Sequence, residues 1–263
     1  MNKNNGTLKN TFATAFEYYK KKDFKTAEIY CYKILSIDAN HIDSMSMLAT
    51  IAAINRNFDK AIELLSKAIE IQPMNTVVLH NLGTAYKELG KLKEAMDYYK
   101  KVLQIDSNHI NANYNLGLVF YKLNEFKTAK IYLRKTVDIQ NNYSLAFLSL
   151  ANVHFDLKEF NDALSCYQKV IEISPNIVAA HNNLGLVFRG FNDFENAIKS
   201  YQNAIKIRPN HGGAHHNLAL AFKELGQFDK AVKSHQTAIK YEPENLSHYY
   251  YLSELKKDVL DAG

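Results

Sequence analysis

The chain has no tryptophan, only two cysteines and only four prolines in 263 residues. Two cysteines, Cys31 and Cys166, cannot staple a chain of this length, and their scarcity suits a reducing, cytoplasmic setting. No apolar stretch approaches the ~20 residues of a membrane-spanning helix. No apolar run follows the N-terminus either, so no secretory leader is expected. Charge of one sign is also lacking: 32 basic and 27 acidic residues leave a net +5 spread along the chain, with no arginine cluster. A nucleic-acid surface, which needs a basic stripe or a recognition motif, is therefore not expected. Phosphate-cradling glycine loops, H-E-x-x-H and G-x-S-x-G are all missing, and the scattered carboxylates form no catalytic constellation. The chain reads as a non-enzyme without a cofactor.

What is present is a grid. Ala27, Ala61, Ala95, Ala129, Ala163, Ala197 and Ala231 follow one another at intervals of 34 residues without insertion or deletion. A period of this length is one helix–turn–helix unit of a stacked array. With the alanine counted as position 20, seven repeats occupy residues 8–41, 42–75, 76–109, 110–143, 144–177, 178–211 and 212–245. Position 7 is Thr14 and then Leu48, Leu82, Leu116, Leu150, Leu184 and Leu218; position 8 is Ala or Gly throughout, from Ala15 to Ala219. Small residues at 8 and 20 let two antiparallel helices approach, and large apolar residues at 7, 11, 17, 24 and 27 fill the surrounding space.

The punctuation agrees with the grid. Pro73, Pro175, Pro209 and Pro243 all fall at position 32, where the second helix should stop. Gly90, Asn124, Asn192 and Gly226 share position 15, the turn between the two helices, where a left-handed residue often ends a helix. Residues 1–7 are polar and are expected to be disordered. Past Asn245 a helical pattern continues over 246–263, with Leu246, Tyr249, Leu252 and Leu255 as the apolar face of a capping helix.

Leucine–small at 7 and 8, aromatic at 11, alanine at 20 and proline at 32 resemble the tetratricopeptide repeat (TPR). The resemblance covers residues 8–245, about nine-tenths of the chain. It departs at position 4, which holds no tryptophan and is His181 and His215 in two repeats, and in the loose first repeat. It implies an all-α fold, a right-handed α-solenoid superhelix of antiparallel helical hairpins. It also implies a concave groove lined by positions 2, 5, 6, 9, 12 and 13 of each first helix, suited to an extended peptide or another protein.

On those positions stand Asn81, Asn115, Ser149, Asn183 and Asn217, one register apart at position 6. An amide can donate to a carbonyl and accept from an N–H at once. The row resembles the asparagine ladder of the repeats attached to O-linked N-acetylglucosamine transferase, which implies grip on a peptide backbone. Hydrogen bonding between neighbouring helices is the competing reading, and the sequence leaves both open. Tyr114, Leu118, Tyr121, Leu148 and Phe155 supply apolar groove surface, with Asn152, Asn182 and His216 on its polar side. Each of these is equally open to coverage by the next repeat. A carboxylate clamp for chaperone tails is not expected, because position 5 holds no lysine and position 6 no arginine. His211, His215 and His216 follow the repeat grid, so no metal site is expected there.

The leading expectation is thus a non-catalytic protein-interaction scaffold. Two alternatives stand beside it: the substrate-recruiting array of a larger bacterial transferase, acting on sugars or sulfate, and a scaffold that self-assembles through an apolar edge at Thr11, Phe12 and Phe16, giving a homo-oligomer.

Overall fold

The structure, a computed structural model, describes the backbone of residues 2–261 and the side chains of residues 6–257. The described residues form fifteen α-helices and no strand. The chain divides into two compact units, Met1–Leu123 and Asn124–Gly263.

In the first unit, α1 (Asn2–Lys20) pairs with α2 (Phe24–Ile37), α3 (Ile42–Ile54) with α4 (Phe58–Ile71), and α5 (Thr76–Glu88) with α6 (Leu92–Ile105); α7 (Ile110–Lys122) stacks on α6. In the second, α8 (Phe126–Ile139) stacks on α9 (Ser144–Asp156), which pairs with α10 (Phe160–Ile173). There follow the hairpins α11 (Val178–Gly190) with α12 (Phe194–Ile207) and α13 (Gly212–Glu224) with α14 (Phe228–Tyr241), closed by α15 (Leu246–Asp261).

Each helix end has a chemical cause. Every proline stands two residues past the last residue of a second helix, after the non-helical C-caps Gln72, Ser174, Arg208 and Glu242. All seven residues at position 15 have positive φ, between 58° and 75°, including Lys22, Arg56 and Lys158 as well as the expected glycines and asparagines. Where position 34 is His or Asn its side chain caps the helix that follows, whereas Tyr143 and Ile177 make no such bond. The Nδ1 atoms of His41, His109 and His211 accept from the backbone N–H groups of Ser44, Ala112 and Ala214 at 3.0–3.2 Å. Asn75 does the same through its carbonyl oxygen. These caps satisfy donors that helix starts leave orphaned.

Packing follows the grid. The alanines of position 20 are all at most 1% exposed. Position 24 (Cys31, Leu65, Tyr99, Leu133, Tyr167, Tyr201 and His235) is buried throughout. Position 17, expected inside, is half-buried instead, because these residues open the second helix at the hairpin end.

Two expectations are corrected at the chain ends. Residues 2–7 are helical, since α1 begins at Asn2; the Thr11 hydroxyl donates to the Thr7 carbonyl, and Leu8 is buried inside the same helix. Met1 lies outside the described residues. On α15 the inward seam is His248 and Leu255, both at most 2% exposed, whereas Leu246 and Tyr249 face outward. His248 can turn inward because both of its ring nitrogens find partners, Glu242 and His216.

Candidate functional site

All thirteen groove residues read from the sequence are half-buried. The side chains nevertheless sort into different arrangements.

In the second unit, four asparagines form a continuous row. Asn217 Nδ2 donates to Asn182 Oδ1, Asn182 Nδ2 to Asn183 Oδ1, and Asn183 Nδ2 to Asn152 Oδ1, each at 3.1 Å. Tyr167, reaching across from α10, donates its hydroxyl to Asn152 Oδ1 at 2.6 Å. The row ties α13, α11, α9 and α10 together. Each amide in it has two N–H groups and two lone pairs, so the bonds that link the row leave donors and acceptors over. Ser149 stands outside, its hydroxyl donating to the Leu145 carbonyl of its own helix at 2.9 Å. Leu148 shares that helix. Phe155 lies against Phe160 of α10, ring centroids 5.6 Å apart, with the Lys158 ammonium 5.7 Å above it.

In the first unit, Asn115 is held from two sides. Its Oδ1 accepts from Lys87 Nζ and its Nδ2 meets His80 Nε2, both at 3.1 Å. Burial lowers the pKa of His80, which keeps the ring neutral and able to accept from that amide. Tyr114, Leu118 and Tyr121 line the same helix, α7. Asn81 instead lines a cavity.

That cavity, of about 440 Å³, is bounded by Phe12, Phe16 and Tyr19 of α1, Asp43, Ser46, Met47 and Thr50 of α3, and Asn75, Val77 and Asn81 around the start of α5. Apart from the cap residue Asn75, every one falls on groove position 2, 5, 6, 9 or 12 of repeats one to three. Phe16 is 46% and Val77 58% exposed, and the Phe16 and Tyr19 rings are stacked at 6.4 Å. The apolar groove residues read from the sequence, in repeats four and five, are not among those that line this cavity. The same register holds Phe12, Phe16, Tyr19 and Met47 at positions 5, 9, 12 and 6, so they were open to the same reading as groove surface.

The architecture defines a class: helical-repeat proteins that present the faces of stacked first helices. A family model described as TPR repeat matches residues 83–124, 135–189 and 192–226. Models described as tetratricopeptide repeat match 110–143 and 214–247. A further model, anaphase-promoting complex, cyclosome, subunit 3, matches 20–102. The chain belongs to the tetratricopeptide-repeat family.

Among curated proteins it is 29% identical over 89 residues to a UDP-N-acetylglucosamine–peptide N-acetylglucosaminyltransferase of Caenorhabditis elegans, covering 34% of this chain and 8% of that protein. It is 32% identical over 81 residues to the BBSome complex member BBS4 of Bos taurus, covering 31% of this chain and 15% of that protein. The matched part is thus a small share of either relative. Among solved structures, MamA superimposes with a TM-score of 0.61 at 26% identity, over 65% of this chain and 94% of that one. YrrB, described as a TPR protein with an unusual peptide-binding site, superimposes with a TM-score of 0.64 at 22% identity, over 72% and 98%. These likenesses place the fold among all-α solenoids.

Proposed function

We propose that the chain is a non-catalytic interaction scaffold that receives an extended segment of a partner protein on its first-helix faces. The cavity between α1, α3 and α5 is the observation that carries this reading. Its rings and aliphatic side chains offer an anchor for one apolar side chain of the partner. Asp43, Ser46, Thr50 and Asn81 offer polar atoms for the adjoining backbone. Aromatic anchors in pockets carry most of the energy of such interfaces. The amide row of the second unit offers further backbone grip, weaker because its members already bind one another.

Titration of an extended-peptide library against the intact chain tests this. Phe16→Ala with Val77→Ala should weaken the tightest peptides by at least about tenfold, the weight of ~1.4 kcal/mol. Asn115→Ala with Asn183→Ala should weaken them less. Affinities unchanged in both double variants would refute the reading.

The similarity to the C. elegans transferase favours a second reading, in which these repeats recruit substrates for a transferase domain on the same polypeptide. The reading frame after Gly263 decides it: an in-frame transferase domain supports it and a stop codon dismisses it. A cytoplasmic setting belongs to the same proposal. It is supported by two buried, unpaired cysteines and by the lack, among the described residues, of any helix long and apolar enough to cross a membrane.

A further inference from the structure

Three histidines from three helices meet near the end of the second unit: His216 of α13, His235 of α14 and His248 of α15. The His216 ring lies 5.1 Å from that of His235 and 4.9 Å from that of His248, centroid to centroid. Nδ1 of His216 and Nδ1 of His248 stand 3.3 Å apart. Two imidazole nitrogens, each 2.0–2.1 Å from a tetrahedral zinc ion, are separated by about 3.3 Å, the edge of the tetrahedron.

The surroundings are those of a ligand set. His248 turns its Nε2 to Glu242 Oε2 at 3.1 Å, and Glu242 Oε1 is in turn held by the Gly213 N–H at 3.1 Å. With the carboxylate ionised, Nε2 keeps the proton and Nδ1 presents its lone pair. A carboxylate behind a histidine orients metal ligands in this way. His235 is 1% exposed, and its Nδ1 has no hydrogen-bond partner among the described residues. Such an orphaned polar atom is costly unless something takes it. Tyr251 lies parallel to the His235 ring and edge-on to His216, covering the cluster from α15.

We propose that His216 and His248 bind a divalent transition metal of the zinc class, with His235 completing the set after a side-chain rotation and Glu242 as the positioning residue. The histidines adjacent in sequence are not part of it: His211 caps α13, and His215 bonds the Pro209 carbonyl at 2.9 Å. A second cluster, His154, Glu159 and Asp162, has its ligand atoms within 4.8 Å of one another without any rotation. There, however, Lys130 already holds the Glu159 carboxylate at 2.6 Å and His154 Nδ1 bonds its other oxygen, so both oxygens are engaged.

The intact chain is titrated with Zn²⁺ by calorimetry and with Co²⁺ by visible absorption, which reports tetrahedral coordination. One site with micromolar or tighter affinity is expected. His216→Asn and His248→Asn should each weaken it at least about tenfold, and Glu242→Gln by about 10–100-fold. His211→Ala should bind as the wild type does. Because His248→Asn risks loosening α15, the half-buried His216→Asn serves as the folded control: Zn²⁺ should raise the unfolding midpoint of the wild type and not of this variant. Wild-type binding no tighter than millimolar, wild-type-like binding by His216→Asn, or loss on His211→Ala instead would overturn the assignment.

Discussion

The ring of Tyr99 occupies the space that a side chain on Gly83 would need: a Cβ there would stand 2.7 Å from Tyr99 Cε1. These are positions 8 and 24 of one hairpin, and the same pairing recurs between Gly185 and Tyr201. Tyr99 is fully buried, and its hydroxyl sits 3.2 Å from the Thr84 hydroxyl, so the ring has little freedom to yield. Gly83→Ala should therefore lower stability by ~1 kcal/mol. Overpacking of ~1–3 kcal/mol is offset in part by the better helix propensity of alanine. Tyr99→Phe should cost ~1 kcal/mol through its lost hydrogen bond. Tyr201→Phe should cost nothing or stabilise, because the Tyr201 hydroxyl is buried without a partner among the described residues. Chemical denaturation of the three variants checks the order.

Left-handed residues without glycine offer a route to higher stability. Arg56 and Lys22 hold φ near 60° at the hairpin turns, a region costly to residues with a Cβ. Arg56→Gly and Lys22→Gly should each stabilise by ~0.5–1 kcal/mol, net of the entropy of glycine. Lys158→Gly should gain less, since the Lys158 ammonium lies 5.7 Å and 6.0 Å from the Phe155 and Phe160 rings and that attraction would go. The converse change, Gly90→Ala, should destabilise by ~1 kcal/mol. Thermal midpoints measured at one protein concentration test all four.

The asparagine row makes stability separable from binding. Asn183→Ala removes both the bond to Asn152 and the one from Asn182, and should cost ~1–2 kcal/mol. Ser149→Ala, whose hydroxyl only bonds back to its own helix, should stay within ~0.5 kcal/mol of wild type. Hydrogen exchange along α11 is the direct readout, because neighbouring repeats in such arrays need not unfold as one. Equal protection in the two variants would show that the row holds nothing together.

The hairpins and their ends were legible because they rest on residue types that physics ties to one conformation: proline at a helix end, alanine where two helices touch. The left-handed turns at Lys22, Arg56 and Lys158 were legible only through the period, since nothing in lysine or arginine signals them. Polarity misled at the cap. His248 reads as a surface residue in the helical pattern, and Leu246 as an inward one, yet His248 is the buried member because Glu242 and His216 satisfy it from 6 and 32 residues away. The groove positions likewise followed from the register. Which of them open into a cavity depends on how neighbouring side chains turn. The later asparagines turn toward one another, while Phe16 and Val77 turn outward.

Both thiols are governed by burial. Cys31 lies 3.5 Å from Met47 Sδ, and burial, the largest influence on each cysteine, pushes Cys31 and Cys166 up to about 11 from an ordinary value of 9.0. The thiolate is the reactive form. At pH 8 the native chain should therefore resist a disulfide reagent for far longer than the denatured chain, each thiol appearing as the repeats around it unfold. The same shift carries a stability consequence of fixed sign. Between pH 9 and 11 the unfolded chain releases these protons while the folded chain keeps them, so the unfolded state binds fewer protons and stability falls as pH rises. Cys31→Ala with Cys166→Ala should flatten that part of the profile. Denaturation midpoints from pH 8 to 11 in wild type and double variant measure the difference, and parallel slopes would show that the thiols ionise alike in both states.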